Sequence, residues 1–233
     1  MIIKNTIDFE VNEGVKLLIY GDAGAGKTRL CATTSGTPLI LSAESGLLSI
    51  RNNNIDYIEI DTIESLQQAY LFIVKSADAD KYDWICIDSL SEIAEVCLSD
   101  ELKINKDGRK AYGELSKKII AMIKCFRNLK AKNVYMAAKM TQDKDEYSGN
   151  MLFGPMMPGN KLGLAIPYLF DEVFYLQRTS TDDKVVSKLL TSQTGNFRAK
   201  DRSGALNLIE EANLSHIKNK IFSNNKKEEK TNE

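Results

Sequence analysis

The chain has 233 residues, 43% of them hydrophobic and 27% charged, with a formal net charge of −1. Such a chain is long enough for one full-sized α/β domain and short for two. A charge this near zero excludes a global basic field, so a polyanion would have to be met by a local patch.

In chain order, Val15–Tyr20 (VKLLIY) is a short apolar run leading straight into glycines, which predicts a buried parallel strand. Lys27 onward opens a short helix. Pro38–Ser42 and Tyr57–Ile60 read as two further strands. Asp61 followed by Glu64 resembles a capping box for a helix through Leu66, Ala69, Ile73 and Val74. Trp84–Ile87 is a buried strand ending at Asp88. Residues 112–130 carry Leu115, Ile119, Met122, Phe126 and Leu129 at alternating steps of four and three, one apolar helical stripe. Val134–Ala138, Glu172–Leu176 and Val185–Leu190 are strand-like. Residues 142–161, aperiodic and containing Gly, Pro and Met, read as a long functional loop. Ser223–Glu233 is polar and low in complexity, and is expected to be disordered.

Strands alternating with helices predict an α/β fold, a mostly parallel central sheet with helices on both faces. We expect a single domain over residues 1–222, with its core at about 14–205, followed by the tail 223–233. Cys31, Cys86, Cys97 and Cys125 form no C-x-x-C pair, and His216 is the single histidine. Reduced thiols, no structural metal and a cytoplasmic location are therefore expected. Charges at Lys4, Asp8, Glu10 and Glu13 argue against a signal peptide, and the apolar run Leu162–Phe170 is too short to span a bilayer, so no membrane partner is expected.

Gly21-Asp22-Ala23-Gly24-Ala25-Gly26-Lys27-Thr28 matches G-x-x-x-x-G-K-[ST] at every fixed position. A triphosphate must be wrapped by backbone N–H groups, so glycines are needed where the chain turns sharply. Strand before and helix after supply the context of a P-loop. Lys27 is expected on the β- and γ-phosphates, the Thr28 hydroxyl on Mg²⁺, and Arg29 beside the nucleotide, which we take to be ATP. The Mg²⁺ shell also needs a carboxylate ending a strand next to the P-loop strand, and Asp88 provides it.

The residue after Asp88 is Ser89 rather than Glu, so the group that orients the attacking water lies elsewhere. Glu44, at the end of the second strand, is the preferred candidate, because parallel strands present their carboxyl ends on the P-loop edge. Glu92, one turn beyond Asp88, is expected to point along its helix. Asn105-Lys106-Asp107-Gly108 and Asn160-Lys161-Leu162-Gly163 lack the Asp that reads guanine, which argues against GTP.

The order strand–Glu44–Ser–Gly–Leu, then Asp88–Ser89, then a lysine-rich amphipathic helix and strand Val134–Ala138 resembles the RecA-type core. More narrowly, with Phe197-Arg198-Ala199-Lys200-Asp201-Arg202-Ser203-Gly204, it resembles the small phage-encoded AAA/RecA-like ATPases of the Sak recombinase group. The resemblance implies a RecA-like ATPase with Lys27, Thr28 and Asp88 at ATP–Mg²⁺ and Glu44 in the catalytic role. Lys139 or Gln142 would be the γ-phosphate sensor. It further implies action in phage DNA recombination or single-strand annealing in the host cytoplasm. Single-stranded DNA, a phage single-strand-binding protein and further copies of the chain would be its partners.

Lys106, Arg109 and Lys110, and then Lys144, Tyr147, Phe153 and Lys161, are the cations and aromatics expected to meet DNA. Arg198, Lys200 and Arg202 alternate, so an extended segment would project three cations together. Lys200 or Arg202 could then reach the γ-phosphate of a neighbouring copy. Two other classes remain open: a small-molecule kinase with residues 142–161 as its lid, and a non-catalytic ATP-gated binding module.

Overall fold

The computed structural model describes residues 14–144, 149–159, 161–181 and 184–229. In chain order it contains β1 (Lys16–Gly21), α1 (Lys27–Leu30), β2 (Pro38–Ser42), β3 (Asp56–Glu59), α2 (Ile63–Lys75), β4 (Trp84–Asp88), α3 (Leu90–Ile104) and α4 (Gly108–Arg127). There follow β5 (Asn133–Lys144), β6 (Met151–Pro155), α5 (Leu162–Ala165), β7 (Glu172–Thr181), β8 (Lys184–Leu190), β9 (Lys200–Asp201), β10 (Ile209–Glu211) and α6 (Leu214–Glu229).

Alternation along the strands divides the core in two. Leu18, Tyr20, Leu39, Leu41, Ile85 and Ile87 face α2, α3 and α4. Leu17, Ile19, Ile40, Trp84 and Cys86 face α1 and α6. Both faces of the sheet are therefore covered, which is why β1 is buried at all six positions and reads as an unbroken apolar run. The α4 stripe is Ala111, Leu115, Ile119, Ile123 and Phe126.

The strand order is β10-β8-β7-β1-β5-β4-β2-β3, with β6 added to β5 and β9 to β7. Strands β3, β2, β4, β5, β1 and β7 run parallel. The chain thus has the predicted α/β fold with a mostly parallel sheet, and β6, β8, β9 and β10 add antiparallel pairs that periodicity did not reveal. The expectation that β4 neighbours β1 does not hold, because β5 lies between them.

Four further differences from the sequence reading have local causes. Residues 142–161 are not one loop: β5 continues to Lys144 and pairs with β6 as a hairpin. Helix α4 starts four residues earlier than the apolar stripe suggested, because the Asp107 carboxylate accepts from Arg109 N at 2.9 Å and caps it. Helix α2 is capped by Thr62 and Ser65 rather than by Asp61 and Glu64. Helix α6 runs through part of the expected tail, to Glu229; residues 230–233 lie outside the described residues. No helix among the described residues is long and apolar enough to cross a membrane.

Glu172, at the foot of β7, faces Asp201 of β9 in register and is buried, with Oε2 lacking a partner. Burial first, and then the neighbouring Asp201 carboxylate, push its carboxyl up to about 8 from an ordinary 4.5. A folded pKa above the unfolded one means stability is full below pH 4.5 and falls as pH rises toward 8. Glu172→Gln should remove this dependence and stabilise the fold at pH 8.5 by on the order of 2 kcal/mol, at roughly 1.4 kcal/mol per unit discounted for coupling to Asp201. Urea unfolding of both proteins at pH 5 and 8.5 checks it; parallel losses in the two would contradict it.

Candidate nucleotide-binding site

Register aligns the carboxyl ends of the parallel strands into one edge. Lys139 of β5 pairs with Gly21 of β1, and Ser42 of β2 pairs with Asp88 of β4. Glu44 follows two residues after β2, its N–H and that of Ala43 directed at the Asp88 carbonyl, at 3.4 and 2.7 Å. The loop between β1 and α1 crosses the end of β5, so Thr28 reaches Asp88 although a strand separates β1 from β4.

Gly24 and Gly26 adopt φ of 75° and 106°, a region that side chains disfavour. At Gly21 a Cβ would lie 2.7 Å from the Leu176 carbonyl oxygen, so β7 leaves no room for one. The Lys27 ammonium folds back over the loop and donates to the carbonyls of Gly21 and Asp22 at 2.9 and 2.8 Å. Burial lowers its pKa, opposed by Glu44, Asp88 and Asp22. Tyr135 donates from beneath to the Lys27 carbonyl at 3.0 Å.

The Thr28 hydroxyl donates to Asp88 Oδ2 at 2.6 Å. Asp88 is 2% exposed and its Oδ1 has no partner, nor has Ser42 Oγ on the neighbouring strand. Burial, and then the Glu44 charge, raise the Asp88 pKa against the opposing Thr28 bond and Lys27. Orphaned oxygens beside a hydroxyl and a buried carboxylate are the donor set that Mg²⁺ takes when phosphates and water complete its shell. No cluster of three or more His, Cys, Asp or Glu suited to a metal occurs among the described residues. Thr28 and Asp88 thus fit Mg²⁺ as a companion of the nucleotide.

Glu44 accepts from the Ser89 hydroxyl and lies 3.7 Å from the Lys139 ammonium. Glu92 does not point along its helix as expected; its carboxylate binds the same ammonium at 2.5 Å. The bond to Glu92 raises the Lys139 pKa, so the ammonium stays charged between the two acids. Lys139 and Gln142 differ in parity along β5, and it is Lys139 that meets the carboxylates, while Gln142 is exposed.

Two residues that sequence reading passed over complete the site. Arg178 of β7 donates to the Gly24 carbonyl at 2.9 Å, and Ser187 of β8 donates to the Ala25 carbonyl at 3.0 Å. Beside them opens a cleft of about 740 Å³, lined by Gly26, Arg29, Asn53, Val185 and Ile209 among others. Its volume suits a nucleoside.

The remaining candidates disperse. Lys106, Arg109 and Lys110 are exposed at the α3–α4 turn, and Lys144 and Lys161 are exposed on either side of β6. Phe153 is not free for a base: it stacks on Phe197 at 4.8 Å between ring centroids, and Phe197 stacks on Tyr175 at 4.1 Å. Tyr147 lies outside the described residues. Arg198, Lys200 and Arg202 do not project together: Lys200 and Arg202 turn to the segment 167–171 and Arg198 away from it, and β9 itself spans only Lys200–Asp201. Arg198 turns toward Asp143, Lys200 donates to the Pro167 and Phe170 carbonyls at 2.9 and 2.5 Å, and Arg202 pairs with Asp171 at 2.9 Å. Lys200 is thus engaged within its own chain, while Arg202 and Asp171 are both more than half exposed.

The buried Asp88 charge sets a trade between stability and ligand. Asp88→Asn should raise the unliganded melting temperature by about 2–4 °C, the equivalent of about 1 kcal/mol for a chain of this size. It should also weaken Mg²⁺-dependent nucleotide binding at least tenfold. Calorimetry with and without Mg²⁺ checks both; a destabilised variant that binds normally would contradict the assignment.

No protein of curated function matches the chain in sequence. Among solved structures, the crystal structure of a KaiC-like protein from the hyperthermophilic archaeon Pyrococcus horikoshii OT3 matches 81% of this chain and 83% of its own, at 13% identity and a TM-score of 0.46. Residues 13–203, which carry every group assembled at the strand edge, match the AAA domain family, and the chain belongs to that family.

Proposed function

We propose that the chain hydrolyses ATP with Mg²⁺ and couples the cycle to single-stranded DNA, in recombination or strand annealing. The observation that carries the hydrolytic reading is the Glu44 carboxylate, fixed by Ser89 and Lys139 at the strand edge that holds Asp88 and the P-loop. Lys27 exchanges its carbonyl acceptors for phosphate oxygens. Glu44 orients a water and accepts its proton as the water oxygen bonds to the γ-phosphorus and ADP leaves. Mg²⁺, when bound, neutralises charge on the transferring phosphoryl group. Lys139, released from Glu92, can follow that charge.

The DNA reading rests on the resemblance to Sak-group ATPases, supported by two geometric facts. The hairpin β5–β6 grows directly from Lys139, through Met156 N–H to the Lys139 carbonyl and Ser91 Oγ to the Met156 carbonyl. The exposed cations at the start of α4 stand beside the segment after that hairpin, since a Cβ at Gly159 would lie 3.0 Å from the Tyr112 ring.

Glu44→Gln should retain MgATP and lose turnover by about 10²-fold or more, the usual range for a positioned base. Phosphate release beside a nucleotide-binding titration checks this, and undiminished turnover would remove Glu44 from the reaction.

Single-stranded DNA should stimulate phosphate release by the wild-type chain. Replacing Lys106, Arg109 and Lys110 together by Ala should flatten the slope of log affinity against log salt by about 2, at roughly 0.7 per lost phosphate contact. Turnover indifferent to DNA, or an unchanged slope, would confine the function to nucleotide chemistry.

A further inference from the structure

Arg178 and Ser187 are register partners across the β7–β8 hairpin, so their side chains leave the same face side by side. They donate to consecutive carbonyls of the P-loop, those of Gly24 and Ala25. In a trans peptide the C=O and the following N–H point in opposite directions. Tying the Ala25 carbonyl to the hairpin therefore aims the Gly26 N–H away from it. Tying the Gly24 carbonyl fixes the preceding peptide plane, whose Ala25 N–H closes onto the Asp22 carbonyl at 3.2 Å. That same Asp22 oxygen accepts from Lys27, so the hairpin, the turn and the lysine are linked through two peptide units.

We propose that Arg178 and Ser187 are positioning residues for the polyphosphate: the β7–β8 hairpin clamps the outer side of the P-loop and holds its amides in the orientation that binds phosphate. Without the clamp, the glycine-rich loop can rotate the Gly24 and Ala25 planes, since Gly24 and Gly26 accept many conformations. A carbonyl turned inward would then meet the phosphates with the negative end of its dipole. The inference rests on the nucleotide reading above and adds to it the element that preorganises the loop. It also predicts which part of the ligand is affected: the phosphates, not the nucleoside, even though both residues border the cleft beside α1.

Inorganic tripolyphosphate, which has no base or ribose, separates the two. With Mg²⁺ present, Arg178→Ala and Ser187→Ala should each raise Kd for tripolyphosphate and for ATP by the same factor, about five- to tenfold for one lost hydrogen bond. In steady-state turnover the loss should appear in KM rather than kcat. Arg178→Lys, which keeps one charged donor, should recover part of the affinity. The unliganded unfolding midpoint should stay within the scatter expected of a surface substitution.

Loss of ATP affinity with tripolyphosphate unaffected would overturn the proposal and make Arg178 a nucleoside contact. Unchanged affinity for both ligands would overturn it too, as would a fall in the unfolding midpoint large enough to account for weaker binding. Failure of the underlying reading looks different: the wild-type chain itself would then bind neither ligand.

Discussion

A phosphate-binding loop has to turn its N–H groups toward the ligand, which leaves its carbonyls facing the protein, and there they must find donors. In this chain the donors come from every side. Lys27 takes Gly21 and Asp22, Arg178 takes Gly24, Ser187 takes Ala25, the Leu30 N–H takes Gly26, and Tyr135 takes Lys27. The loop is thus held by its own helix, by the strand beneath it and by a hairpin more than 150 positions away in sequence. Much of the remaining architecture serves to bring those donors to one place. The parallel register sets the height of Gly21 against Lys139, and β7 carries its strand past that height so that Arg178 stands above the loop.

The charges at the edge follow from the same burial. Lys27 is pushed toward neutrality and Asp88 toward protonation, because each is removed from water. Glu44 supports the lysine and opposes the aspartate, while Lys27 and Asp88 each favour the other's charged form without offsetting the burial. On the function proposed above, a magnesium–triphosphate complex would bring an anion to the lysine and a cation to the aspartate in one ligand. Lys139 behaves differently: held between Glu92 and Glu44, it is charged already and has an alternative partner to leave.

What could be read from the sequence was what chemistry requires locally. The glycines and Lys27–Thr28 follow the spacing that wrapping phosphate requires, while Asp88 is legible as a carboxylate ending a buried strand, although β5 separates that strand from β1. Glu44 followed from one topological rule about parallel strands. The direction of Glu92 is not legible in the sequence, because helical phase gives a face but not the cation that draws a carboxylate across to β5. Residues 142–161 read as loop because turn-forming residues surround the short β6 run, which the sequence does not show to pair with β5. Arg178 and Ser187 left no local trace: a cross-strand pair acting on a distant carbonyl has no pattern in one strand.

The antiparallel additions have a common logic. Strand β1 lies between β5 and β7, and these two continue beyond the parallel edge, each folding back as a hairpin, with β6 and β8. The P-loop therefore emerges between two projecting ribbons. One, β7–β8, grips its carbonyls, and the other, β5–β6, begins at the lysine shared by Glu44 and Glu92. The feet of the two ribbons are also joined: Tyr20, the residue before the loop, shares its single hydroxyl proton between the carbonyls of Arg198 and Phe153, and its ring packs on Tyr175. Tyr175, Phe197 and Phe153 continue that packing from β7 across to β6. A close-packed aromatic contact resists small displacements but can exchange one packed arrangement for another. Lys139 and the P-loop thus stand at the feet of two ribbons that one run of aromatic packing joins across β1.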